Sequence, residues 1–202
     1  MLYQVLQINK LFPRLILAIA GIVVVASGNK PVQARPAEIF TPHLQEIQSN
    51  LPLGLVMRLP SQIQLSGFQD IDFSKLIVRV FPSETPAGLT VSLFTCISGP
   101  QPCLLGSFSV ARNTSPNAIR DLEKHKATGD RITLKPNIKG YLLEGSKQKP
   151  AYEFSSVMWQ QDNLIYRVSL PQTERLSMLF MAYSMANEAP LRRVVSPPII
   201  GR

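Results

Sequence analysis

The residues able to do chemistry are few and scattered. Cys96 and Cys103, in TCISGPQPC, are the only two cysteines, with Gly99, Pro100 and Pro102 between them to reverse the chain. Their spacing is not the C-x-x-C of a redox pair. It predicts a disulfide stapling the top of a hairpin, contributing about 2.5 kcal/mol for so short a loop. His43 and His125 are isolated, without the ligand spacing of a metal site, and read as surface histidines, His125 on a charged helix face. Asp70 and Asp72 are alternate residues that can jointly favour a cation, but read as solvated loop acids. Ser184, in AYSMA, lacks the G-x-S-x-G elbow of a serine hydrolase and reads as bonding a backbone carbonyl. No catalytic residue, metal site or cofactor is assigned. Carboxylates of the glycosidase kind meet in space rather than in sequence, so that chemistry leaves no spacing to read.

Binding chemistry leaves more traces. Trp159 and Tyr166 are the most informative aromatics, either a ligand-facing stack on an open sheet face or core between the sheet and the terminal helix, with core preferred. Met178, Met181 and Met185 line an adaptable apolar groove or fill core. Arg131, Lys135, Lys139, Lys147 and Lys149 are the densest local basic group. They form a polyanion-facing patch or simply a soluble surface.

These residues must be positioned by a strand-rich centre. Thr41-Pro42 predicts a helix start, with Leu44, Ile47 and Leu51 on its apolar face until Pro52. Leu53 to Pro60 suits a covering segment or an edge strand. Leu76 to Phe81, Leu89 to Thr95 and Leu104 to Val110 alternate in period two and are joined by short turns, which argues an antiparallel meander. Ser115-Pro116 opens a helix that Gly129 closes. Arg131 to Leu134 and Lys139 to Glu144 resume strands, broken at Pro136-Asn137. Ser155 to Gln160 and Leu164 to Leu170 flank the tight turn QDN, with Val157, Trp159 and Ile165 grouped on this last hairpin. Thr173 caps the longest helix, whose apolar face is read as Leu176, Leu179, Phe180 and Tyr183, widened by the methionines.

The N-terminus sets the compartment. Met1 to Arg14 carry Lys10 and Arg14 and no acid, Leu15 to Ser27 are apolar, and Pro31-Val32-Gln33-Ala34 supply a break and small residues at Val32 and Ala34. That is the pattern of a signal peptide over residues 1–34. The 13-residue apolar run is shorter than the roughly 20 residues that span a hydrocarbon core. An uncleaved anchor, lengthened by Leu11 and Phe12, is the other reading. Cleavage leaves 168 of the 202 residues, enough for one domain over residues 35–187 with a Pro-containing extended tail over 188–202. The net charge of +8 falls to about +5 without Lys10, Arg14 and Lys30. Export and the lack of a basic stripe interleaved with aromatics exclude nucleic acid as a partner.

Residues 156–185, SVMWQQDNLIYRVSLPQTERLSMLFMAYSM, resemble the closing unit of several uncharacterised families of secreted or membrane-tethered bacterial proteins. Trp159, Asp162, Tyr166, Ala182 and Ser184 carry the likeness, and KGYLLEG (139–145) fits the strand upstream. The whole chain resembles exported proteins of cyanobacteria. The resemblance implies a mixed sheet with a packed helix, a sensing, binding or envelope role, and the periplasm, thylakoid lumen or exterior as its place.

The expectation is an α+β domain. A twisted, mainly antiparallel sheet has helices packed on one face, those starting at Ser115 and Thr173. The favoured function is a non-catalytic binding or accessory module of the cell envelope with an apolar or polyanionic ligand. Its partner would be envelope lipid, polysaccharide or protein, and the mature domain would not span a membrane. An envelope hydrolase with dispersed residues and a purely structural protein are the alternatives.

Overall fold

The computed structural model describes residues 35–66, 72–97 and 103–194. The signal segment, Asp70, the Gly99–Pro102 turn and the tail from residue 195 lie outside them. Seven strands, β1 (Ile77–Glu84), β2 (Ala87–Phe94), β3 (Leu104–Arg112), β4 (Asp130–Lys135), β5 (Ile138–Leu143), β6 (Phe154–Gln161) and β7 (Leu164–Pro171), form one twisted sheet. Its order is β1-β2-β3-β7-β6-β5-β4, and every neighbouring pair is antiparallel. Three helices accompany it: α1 (Leu44–Asn50), α2 (Pro116–Thr128) and α3 (Arg175–Asn187).

Local chemistry accounts for most boundaries. Asp162 and Asn163 hold φ of 54° and 61°, the pair of positive values a two-residue hairpin turn needs and that Asp and Asn tolerate. Pro82 sits inside β1, which is an edge strand, so its missing N–H breaks no interior ladder. Pro116 fills the first position of α2. Gly129 ends that helix where the chain turns against β5, and a Cβ there would come within 2.5 Å of the Leu142 carbonyl oxygen and 2.6 Å of that of His125. The other edge strand, β4, carries a register shift between Thr133 and Lys135. The Asn187 side chain donates to the Leu134 carbonyl there at 3.0 Å.

The main core lies on one face of the sheet. Val91, Phe108, Val110, Val157, Trp159, Tyr166 and Val168 point into it and meet Phe40, Ile47, Leu51 and Met57 from the N-terminal segment and Met178, Met181, Ala182 and Met185 from α3. Burying a large side chain in such a core contributes roughly 1.5–3 kcal/mol. Segment 58–66 is fastened alongside α3 by polar contacts at helical spacing. Arg58 donates to the Glu188 carbonyl, the Ser61 amide to Ser184 Oγ at 2.9 Å, and the Ser66 amide to Glu174 Oε2 at 2.8 Å. Glu174 is fully buried and also accepts from Ser177 Oγ at 2.6 Å. Ser184 therefore accepts from a backbone amide rather than bonding a carbonyl.

The α+β class and the antiparallel sheet agree with the sequence reading, while several placements differ. Helix α2 packs on the opposite face from α3, where Leu122 joins Met158 and Ile165 in a small separate cluster. Ile165 thus faces away from Trp159, and Tyr166 takes the place expected of it. The core-facing side of α3 is the methionine side, and Leu176, Phe180 and Tyr183 are exposed. That helix begins at Arg175 after a 3-10 turn at Gln172–Glu174 without a side-chain cap, so Thr173 does not serve as one. Likewise Pro42 lies within a 3-10 turn, Glu38–His43, ahead of α1. The start of the tail is tied down, since Leu191 is buried and pairs with Met57.

Candidate functional site

The face of the sheet turned away from the main core has an unusual surface. The strand registers align Phe81, Thr90, Ser109, Arg167, Met158, Tyr141 and Arg131 in one row across all seven strands. The adjacent row runs Arg79, Ser92, Ser107, Ser169, Ser156 and Leu143. Solvated strand faces ordinarily carry long charged side chains. Short hydroxyls take many of these positions; Ser92, Ser156 and Ser169 are buried, while Thr90, Ser107 and Ser109 stay partly exposed and leave the backbone beneath them close to the surface.

Helix α2 covers only one end of this face. Its cluster of Leu122, Met158 and Ile165 is supported by Ala118 and Tyr141. His125, expected on the surface, is 3 % exposed instead. Its Nδ1 lies 2.7 Å from the Asp121 carbonyl oxygen and its Nε2 2.8 Å from Ser156 Oγ. Burial holds the imidazole pKa down to about 4, against the raising effect of the Asp121 carbonyl. The ring is therefore neutral at pH 7, with Nδ1–H donating to that carbonyl and Nε2 accepting from the serine. A hydroxyl hydrogen-bonded to an imidazole is how a nucleophile meets its base. Ser156 is as buried as His125, so the pair presents nothing to a substrate and pins the helix instead.

Among the described residues no helix covers this face over β1, β2 and β3. Phe81 is 47 % exposed, and Thr90, Ser107 and Ser109 are partly so. The Arg79 guanidinium lies 5.1 Å from the Phe94 ring centroid and donates to the Ile97 carbonyl at 2.9 Å. Between the β1–β2 hairpin and the first turn of α2 runs a groove of about 230 Å³. Thr90, Ser109 and Arg167 floor it, and Ser115 and Asn117 stand at the helix end. Arg167 Nε donates to Ser169 Oγ at 3.0 Å, and Nη1 is 3.7 Å from Asp121 Oδ2. Burial lowers the Arg167 pKa and Asp121 opposes that shift.

The sequence-derived candidates are dispersed by the fold. Trp159 and Tyr166 stack at 5.4 Å with 17° between their planes, and both are fully buried. Trp159 Nε1 donates to Gln161 at 3.3 Å and the Tyr166 hydroxyl to the Val56 carbonyl at 3.1 Å. Burial pushes the Tyr166 pKa up to about 12. They are core, not a ligand-facing stack. Met178, Met181 and Met185 are also fully buried and line no groove.

The basic group does not form one patch. Arg131 and Lys139 share the α2 side of the sheet, Lys139 bonding Thr133 at 2.8 Å. Lys135 lines a shallow polar groove of about 600 Å³ with Asn137, Gln160 and Asp162. Lys147 is held by Glu144 at 3.1 Å and Asp130 at 3.6 Å, which raise its pKa. Lys149 is exposed on the following loop.

Cys96 and Cys103 are bonded, joining the ends of β2 and β3 as expected. Asp72 is occupied locally by Ser74 and Lys75, which hold its pKa down. His43 lies 3.5 Å from Glu46. Among the described residues no group of three or more His, Cys, Asp or Glu is placed to hold a metal ion. No described helix is long and apolar enough to cross a membrane.

Arg167, Thr90, Ser109 and Ser115 were not singled out as a site from sequence. A signal existed: TVS in β2, SFS in β3 and RVS in β7 each place hydroxyl or cationic residues at alternate positions. The result is an α+β protein with a seven-stranded antiparallel sheet and helices on both sides, with three strands of one side uncovered by any helix among the described residues. No family model matches the chain, and no curated protein or solved structure does.

Proposed function

We propose that this chain is a non-catalytic binding or accessory module of the bacterial cell envelope, exported through residues 1–34. Its ligand is an acidic polysaccharide of that envelope, lying along the open side of the sheet. The observation that supports this reading is the set of partly exposed hydroxyls Thr90, Ser107 and Ser109, in the same two rows as Arg79, Arg167 and the exposed Phe81. Short hydroxyls exchange hydrogen bonds with sugar hydroxyls at about 1 kcal/mol each. Arg79 and Arg167 supply attraction for acidic groups, and Phe81 offers a surface for a sugar ring. Export is supported by the leader and by the disulfide, which belongs to an oxidising compartment. The likeness of residues 156–185 to envelope-associated families points the same way.

The test is retention of the purified full chain on immobilised acidic polysaccharide, neutral polysaccharide and vesicles containing anionic lipid. Selective retention on the acidic polysaccharide, weakened by Phe81→Ala, is expected. Equal retention on all three, or preference for the vesicles, overturns the ligand assignment. Specific turnover of an envelope polymer overturns the non-catalytic one. Cell fractionation with N-terminal sequencing checks export, with Arg35 as the expected first residue.

A further inference from the structure

The groove between the β1–β2 hairpin and α2 contains a hydroxyl with no work to do inside the protein. Ser115 is 4 % exposed, yet its side chain caps none of the amides of α2 and has no hydrogen-bond partner among the described residues. A serine at a helix start ordinarily satisfies one of the first-turn N–H groups, whereas the small part of Ser115 left uncovered lines the groove. Here Pro116 has no N–H, and Asn117 and Ala118 belong to the turn that a helix leaves without internal acceptors. All three of Ser115, Asn117 and Ala118 line the groove. Arg167 reaches it from the floor, its Nε committed to Ser169 while its Nη groups form no hydrogen bond among the described residues.

We propose that this groove binds one acidic group, a carboxylate, sulfate or phosphate, between the start of α2 and Arg167. Four kinds of donor converge on the ligand: the Ser115 hydroxyl, the first-turn amides, the Asn117 side chain and the Arg167 guanidinium. A 13-residue helix directs its positive end at the same point. Asp121 opposes binding, and at 3.7 Å from Nη1 it neutralises only part of the arginine. About 230 Å³ falls below the ~300 Å³ where pockets for whole small-molecule ligands begin. The groove therefore takes a single acidic unit, with Thr90 and Ser109 under its hydroxyls, and the remainder of a polymer lies along the open rows. This subsite rests on the polysaccharide-binding reading.

Glucuronate, inorganic sulfate and inorganic phosphate serve as probes, titrated into the full chain and followed by amide chemical shifts. Shifts centred on Asn117 and Ala118 are expected, with Arg167→Gln weakening binding by about tenfold. Ser115→Ala weakens it by roughly fivefold without lowering thermal stability, because the hydroxyl caps nothing. Ser115→Asp occupies the site with its own carboxylate, abolishing binding and raising the melting temperature. Lys126→Gln, at the far end of α2, leaves binding unchanged. No shift with any probe, or affinities indifferent to Arg167 and Ser115, overturns the subsite. If the polysaccharide then still binds selectively, only the subsite fails. If small anions bind as described while the polysaccharide is not retained, the subsite stands and the polymer assignment falls.

Discussion

Acidification is expected to strike α2 through His125. The imidazole titrates near 6.5 when exposed and at about 4 in the fold, chiefly because burial under α2 disfavours the cation. The nearby Arg167 and Lys124 charges add to that effect, and Asp121 works against it. Between those two values the unfolded chain binds the proton and the folded protein refuses it. Stability is therefore complete above about pH 6.5 and is lost as the pH falls towards 4. At 1.36 kcal/mol per pKa unit, the loss amounts to about 3 kcal/mol.

His125→Gln keeps a donor and an acceptor but cannot titrate. Urea unfolding between pH 7.5 and 4, followed by the fluorescence of the single tryptophan, Trp159, provides the assay. The wild-type free energy should fall by about 3 kcal/mol more than that of His125→Gln across this range. Asp72 and Glu144, whose pKa values are also lowered, lose their contributions at lower pH and equally in both proteins. Parallel curves for the two proteins refute the reasoning. So does an NMR titration of the folded protein in which the His125 ring protonates near 6.5.

Other contacts carry their own expectations. Glu174→Ala leaves the buried Ser177 hydroxyl without its acceptor and releases the exposed Ser66, and should cost about 2 kcal/mol in urea unfolding. It should also loosen segment 58–66, seen as faster amide exchange at Ser61 and Ser66. Tyr166→Phe removes the hydroxyl's bond to Val56 and its contact with Arg58 and should cost about 1 kcal/mol, whereas Trp159→Ala empties the core and should cost roughly 3–5 kcal/mol. A Trp159→Ala protein as stable as wild type would show that the stack is not core. Cys96→Ser, or a reductant, should lower stability by roughly 2–3 kcal/mol and leave the β3–β7 pairing intact by hydrogen exchange.

The strands were legible because their alternation is strong: Val91 and Leu93, then Phe108 and Val110, point to one side as period two requires. The helix between Ser115 and Gly129 and the turn at Asp162-Asn163 were legible for equally local reasons. The orientation of α3 was not. Leu176, Phe180 and Tyr183 make one apolar stripe and Met178, Met181 and Met185 another, so periodicity cannot say which is inside. Neither does any pattern say which side of the sheet a helix will choose, and α2 went opposite to α3. The burial of His125 did leave a trace, because Ala118, Leu122 and His125 fall on one helical face. The hydroxyl rows were written in TVS, SFS and RVS, but only the register of three strands brings those triplets side by side. The buried Glu174 depends on a partner 108 residues away, which no local signal announces.

An open sheet has two unpaired borders, and this protein closes both by chemistry rather than by curling into a barrel. Pro82 denies an incoming chain one amide on β1, while the displaced register of β4 and the Asn187 side chain on the Leu134 oxygen spoil the ladder at the other border. Copies at high concentration would thus stay separate instead of growing side by side into ribbons. Asn187→Leu, by freeing that oxygen and adding grease beside it, would be the simplest way to make the molecule polymerise.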